Sequence, residues 1–327
     1  MKQSRDVEAM EMMYEIESLA NFPMHEPGAS EFYETLFRNM SSSLRRMGRE
    51  DDAAVYFIKM AEATHYHKKQ LDWMDLWDLG ILIANRAYQA GRWPEFYKSR
   101  EIIAEALLQL RAVEPHEEIL RAKVLSNLGQ CFLATEEYEE AEKHYSEAYD
   151  LFASTVGKRS PLFGMQAWAC GNLRMAQRHF ADAAFLLGEA LYVEVVKDGL
   201  SVSEMAKLMD QILHCMDQLR SGDEALHTIA NLEPVKRALN DLIEDPRWDE
   251  LDETLDLAVL SHKMALVYVA ARWPGGCEEQ AASYFNARAV AVLKQSDASE
   301  ARQWLLQAQA IQSIQSAVLG HARTGQQ

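Results

Sequence analysis

Leu125-Ser126-Asn127-Leu128-Gly129-Gln130-Cys131-Phe132, followed after a short break by Tyr138-Glu139-Glu140-Ala141-Glu142-Lys143-His144-Tyr145-Ser146-Glu147-Ala148, decides the fold. Advancing by 42 residues returns the frame: Gly129 becomes Gly171, Tyr138 becomes Phe180 and Ala141 becomes Ala183, while Tyr145 becomes Leu187 and Ala148 becomes Ala190. A second step carries Ala183 to Ala225, Leu187 to Ile229 and Ala190 to Leu232. Large positions stay large or apolar, and small ones mostly stay small. Residues three and four apart share one side of a helix, so each copy reads as two antiparallel helices. The glycine and the first alanine let the pair approach closely, and the aromatics fill the gap between them. Neither helix buries its apolar stripe alone, so the copies must stack.

Weaker copies flank this centre. Residues 31–67 hold Gly48 at a turn and then Ala53, Phe57 and Met60. Residues 72–112 hold Gly91-Arg92-Trp93-Pro94 at a turn, then Phe96 and a second helix through Leu110. Residues 253–295 read as a helix to Ala271, a turn Trp273-Pro274-Gly275-Gly276, and a second helix through Leu293. Pro94, Pro115, Pro161, Pro234, Pro246 and Pro274 fall at predicted turns or first helical turns, where a missing N–H costs little. No stretch alternates as a strand does. The expected organisation is an N-terminal helix and loop over 1–30, a repeat array over 31–297, and a capping helix and tail over 298–327. Trp304, Leu305 and Ile311 lie on one side of that last helix.

Leu125-xx-Leu128-Gly129-xx-Phe132 followed by Ala141-xxx-Tyr145-xx-Ala148 resembles the tetratricopeptide repeat signature. Leu125 stands where that family usually has Trp, and the usual closing Pro is absent. The common repeat is about 34 residues long, whereas this one steps by 42, which is similar to the kinesin light chain variety. The resemblance implies an all-α fold: a right-handed α-solenoid of about six antiparallel helix pairs with a C-terminal cap. It also implies that the first helix of each pair lines a concave groove.

The spacing then assigns the groove lining. In the first unit it is Arg38, Asn39, Ser42, Arg45 and Arg46; in the second, Ile81, Asn85, Tyr88 and Gln89. Lys123, Ser126, Asn127 and Gln130 follow, then Trp168, Asn172 and Met175, and finally Lys207, Gln211, His214 and Gln218. Asparagine recurs at 39, 85, 127 and 172. Its amide is donor and acceptor at once, suited either to an extended peptide's backbone or to a neighbouring helix. Arg38, Arg45 and Arg46 suit a carboxylate anchor, or alternatively pairing with Glu50, Asp51 and Asp52. Trp168 and Met175 suit a hydrophobic seat for a partner, or packing between repeats.

Bulk properties narrow the function class. With 33 basic and 50 acidic residues the formal charge is −17, which repels phosphate backbones, so no nucleic-acid partner is expected. Cys131, Cys170, Cys215 and Cys277 are spread one to a repeat, the pattern of buried reduced thiols in an intracellular, cytoplasmic protein. The N-terminus lacks the apolar core of a signal peptide, and no apolar run reaches the ~18 residues of a membrane span.

Catalytic and metal chemistry finds no support. His65 and His67 point to opposite sides of a helix, and His214-Cys215 fails as a ligand pair for a similar reason. Gly275-Gly276-Cys277 lacks the lysine and strand context of a phosphate loop. Glu136, Glu137, Glu139 and Glu140 sit at a turn and helix start, where carboxylates complement the helix dipole. The expectation is a non-enzymatic scaffold without cofactor or metal, binding a protein or peptide. The competing expectation is a fixed subunit of a ciliary, ribosomal or organellar complex, with Trp73, Trp77, Trp93, Trp248 and Trp273 as anchors or as ordinary packing.

Overall fold

The computed structural model describes residues 2–20, 28–66, 71–220, 232–271, 278–295 and 301–311, and the regular structure within them is all helical. Two compact units divide the chain, Met1–Thr135 and Glu136–Gln327. The division falls in the turn of the repeat that starts at Leu125.

The first unit contains α1 (Lys2–Leu19), α2 (Ala29–Arg46), α3 (Glu50–Tyr66), α4 (Trp73–Gln89), α5 (Trp93–Val113) and α6 (Glu118–Ala134). The apolar residues of α2 and α4 recur every three to four positions, and each helix packs along its length on the one that follows, α2 on α3 and α4 on α5. In turn α3 touches α4, and α5 supports α6. Met40, Leu44 and Met60 are fully buried between the first pair, as are Ile103 and Leu110 of the second. Helix α1 closes the N-terminal end by laying Met10 on the cluster of Tyr33, Phe37 and Phe57.

The second unit contains α7 (Tyr138–Thr155), α8 (Pro161–Ala176), α9 (Phe180–Val196), α10 (Val202–Arg220), α11 (Glu233–Glu244), the single turn α12 (Pro246–Asp249), α13 (Leu255–Ala271) and α14 (Glu278–Gln295). A further helix, α15, spans 301–311. Helices α8 and α9 form one pair and α13 and α14 another; α7 packs on α8, α9 receives both α10 and α11, and α10 meets α13. At the C-terminal end Ala301 and Ala308 of α15 sit on Ala258, Ala289 and Leu293, with Trp304 and Leu305 half-buried beside them.

One turn geometry recurs. Gly48 (φ 73°), Gly91 (φ 65°), Glu136 (φ 60°) and Arg178 (φ 62°) all take the left-handed conformation just after α2, α4, α6 and α8. After three of these helices the next N–H reaches five residues back: Arg49 to Leu44, Arg92 to Ala87 and His179 to Arg174. Such a left-handed residue ends a helix while satisfying its last carbonyls, and glycine adopts it without steric cost. Close approach within pairs is equally regular. A Cβ on Gly171 would meet Leu187 Cγ at 2.9 Å, and one on Gly80 would meet Ile103 Cγ1 at 2.4 Å.

The repeat register changes after α10. The second 42-residue step takes Ala190, which is buried within α9, to Leu232, which instead precedes α11 as its N-cap. Ala225 and Ile229 lie outside the described residues, as do Trp273-Pro274-Gly275-Gly276, Cys277 and His67. The tryptophans sort clearly: Trp73 and Trp248 are buried core and Trp77 is half-buried, while Trp93 is exposed. Packing therefore accounts for Trp73 and Trp248, and of the five tryptophans expected as anchors or packing, Trp93 is the one exposed among the described residues.

Candidate protein-interaction site

In the first unit the candidate residues of α2 are largely spoken for. Arg38 donates to both carboxylate oxygens of Asp75 on α4, at 2.7 and 2.8 Å, and to Glu34 at 3.4 Å. Arg45 donates to Asp78 at 2.6 Å while its guanidinium lies 5.2 Å from the Phe57 ring centre. Arg46 donates to Ser43 Oγ at 2.9 Å. Arg38 and Arg45 thus tie one helix pair to the next through Asp75 and Asp78; the side chains of Glu50 and Asp51 lie outside the described residues. Asp52 pairs with Arg49. The hydrogen bonds that Arg38 donates to Asp75 raise its pKa further above the ordinary value.

Asn39 of α2 and Asn85 of α4 are exposed, as is Tyr88, which meets Trp93 edge-on at 6.1 Å. On α6, Lys123 and Asn127 are half-buried and Gln130 is exposed. Six positions on three helices therefore present four amides, an aromatic and one lysine.

In the second unit the candidates meet one another. Trp168 Nε1 of α8 donates to Gln211 Oε1 of α10 at 2.6 Å, and Gln211 Nε2 donates to Asn172 Oδ1 at 2.8 Å. One glutamine therefore links two residues a helical turn apart on the neighbouring first helix. On the same face Lys207 pairs with Glu204 at 2.9 Å, and His214 stands edge-on to Phe180 at 5.9 Å. Met165, three residues before Trp168, is 67% exposed and extends the apolar part of the face. Its i−3 spacing from Trp168 is the sequence signal that could have found it. The Asn172 amide nitrogen takes no part in the Gln211 bond and keeps its two donors for other acceptors.

The three described thiols are buried. Burial pushes Cys131 up to about 11 and Cys170 and Cys215 up to about 12, leaving little thiolate near neutrality. Among the described residues no group of three or more His, Cys, Asp or Glu side chains is arranged to hold a metal ion. No helix of the described residues is long and apolar enough to cross a membrane.

No family model and no curated protein matches the chain. Solved structures similar to it include BtubC (BKLC) from P. vanneervenii, at 18% identity over 73% of this chain and 93% of that one, with TM-score 0.48. The kinesin light chain nearly identical TPR-like repeats from Podosopora anserina match at 14% over 66% of this chain and 94% of that one, TM-score 0.41. The TPR2AB domain of yeast Sti1 with pHSP90 matches at 13% over 84% and 98%, TM-score 0.26. These likenesses are partial, and the architecture is read from the chain's own helix pairs, glycine contacts and recurring left-handed turns. By those features the chain is an all-α, tetratricopeptide-like helical repeat.

Proposed function

We propose that the chain is a non-catalytic protein-interaction scaffold, an adaptor whose first-helix faces take an extended segment of a protein partner. The observation that carries this reading is the Trp168–Gln211–Asn172 chain of hydrogen bonds. It fixes an indole and an amide side by side on a face that also holds exposed Met165. An extended segment needs a backbone acceptor or donor partner every few ångströms and a seat for alternate side chains. The Asn172 amide N–H groups supply the first, and Met165 with the Trp168 ring supplies the second. Gln211 positions both and lowers the entropy lost on binding. Lys207 and His214 continue the face along α10. In the first unit the same role falls to Asn39, Asn85, Tyr88, Lys123, Asn127 and Gln130. Arg38 and Arg45 act there as ties between helix pairs, so the faces recognise a partner through amides more than through cations.

The test is selection of binders from a displayed random-peptide library, followed by calorimetry on the full-length chain. Asn172→Ala and Trp168→Ala are each expected to weaken a selected peptide about tenfold, which corresponds to roughly 1.4 kcal/mol. Binders indifferent to both substitutions would remove this face from consideration. A second reading, a fixed subunit of a larger assembly, draws on the exposed edge formed by Tyr88 (55%), Trp93 (43%) and Tyr97 (43%). Size-exclusion of native lysate separates the two, because a fixed subunit elutes almost wholly in a large particle.

A further inference from the structure

We propose that His262 is an acid-sensitive latch, holding helix α15 on the C-terminal end of the second unit while neutral and releasing it when protonated. The imidazole belongs to α13 and is wholly buried. Trp304 of α15 stands edge-on to it at 5.7 Å. Asn286 of α14, 1% exposed, binds α15 directly by donating its Nδ2 to the Ala308 carbonyl at 2.9 Å. Neither ring nitrogen of His262 nor the Asn286 Oδ1 has a hydrogen-bond partner among the described residues. The ring therefore sits in the seam of three helices, α13, α14 and α15, packed more as an aromatic than as a polar group.

Protonation changes what that seam must hold. The imidazolium brings two donors and a full charge into a dry site, and an unpaired buried charge is costly. The groups that face it offer amide oxygens near the ring but no carboxylate, so they repay this only in part. From α13 the neighbour is Lys263, itself a cation, held by Asp210 of α10 at 2.7 Å. From α14 and α15 the neighbours are the neutral amides of Asn286 and Gln307. Burial is the largest influence and holds His262 below the ordinary 6.5; hydrogen bonding by the Asn286 and Gln307 amides pulls the other way, and Lys263 pushes it further down.

The sign of the pH dependence follows. The closed state resists the proton, whereas the open state binds it at the ordinary value. Opening is flat above pH 6.5 and rises as the pH falls below it, by up to about tenfold per pH unit for one linked proton, until the closed-state value is reached. Two of the helix's buried contacts are the small side chains of Ala301 and Ala308, whose removal from the seam forfeits little apolar area. Its departure uncovers Ala258, Ala289, Val290, Val292 and Leu293.

The test is backbone hydrogen exchange read by mass spectrometry on the full-length protein at pH 7.5 and 5.5, corrected for intrinsic rates. Peptides from 301–311 are expected to open about tenfold more at the lower pH, while peptides from α2 and α8 hold. His262→Leu is expected to abolish that rise. Should the variant pack poorly, the wild-type imidazole resonance provides the second measurement, titrating below 6.5 together with the loss of protection. The latch is overturned by pH-independent protection of 301–311, by a rise that survives in the variant, or by a ring that titrates normally with the helix in place.

Discussion

The two units solve the inner problem of a helical repeat in one way and the outer problem in two. Within a pair, both rely on a glycine pressed on a branched side chain, Gly80 on Ile103 in the first unit and Gly171 on Leu187 in the second. Between pairs they differ. The first unit joins α2 to α4 with charge, Arg38 to Asp75 and Arg45 to Asp78. The second joins α8 to α10 with neutral groups, Trp168 through Gln211 to Asn172. The lesson is that intra-pair contact is a matter of volume and tolerates little variation, whereas the joint between pairs needs only complementary polarity. A charged joint is screened by salt and an amide joint is not.

The shared feature gives the largest expected effect. Gly80→Val and Gly171→Val should each cost about 2–3 kcal/mol in urea unfolding, because the added carbons fall inside the contact distance of Ile103 and Leu187. Equal stability in either variant would mean that the pair relaxes freely at that point. The differing feature comes next. Asp75→Ala with Asp78→Ala should lower the stability of the first unit by about 1–2 kcal/mol, discounted for the partial exposure of both arginines. Gln211→Leu should cost the second unit about 1 kcal/mol by stranding the Trp168 N–H. Going from low to 1 M salt should weaken the α2–α4 joint more than the α8–α10 joint, read by hydrogen exchange in α2 and α4 against α8 and α10.

The turns offer a gain in place of a loss. Gly48 and Gly91 sit in the left-handed region at no cost, but Arg178 occupies it with a side chain at φ 62°. Arg178→Gly should therefore raise the melting temperature, by about 1 kcal/mol of stability, and Gly91→Ala should lower it by a similar amount. The smallest effect concerns acid. Arg174, and then Gln177, donate to Glu142 at 2.7 to 3.0 Å and hold its carboxyl below the usual range. That contribution is complete above the ordinary carboxylate value and fades as the pH falls through the lowered one. Because the Glu142 side chain is more than a third exposed, Glu142→Gln should flatten the acid limb of a denaturation curve by only a few tenths of a kcal/mol.

Much of the pairing was legible from the small and large residues alone. Gly171, Ala183, Leu187 and Ala190 are buried as their spacing demanded, since a helix has one period and one buried stripe. The register beyond α10 was not, because Leu232 fits the apolar pattern equally well as a helix interior or as the N-cap it is. The candidate faces were legible as positions and not as partners. Nothing in the spacing distinguishes an Arg38 reaching forward to a ligand from one reaching across to Asp75, 37 residues later.

By itself the sequence determined that this protein is made of helix pairs, where most of them turn, and which polar residues fall on α2, α4, α6, α8 and α10. These are local properties, set by period, by side-chain volume and by the residues able to end a helix. Tertiary structure alone decided which polar groups on those helices are already satisfied by a neighbouring pair and which keep donors to offer. It also decided that His262 is sealed beneath α15, because burial by a distant segment leaves no trace in the residues being buried.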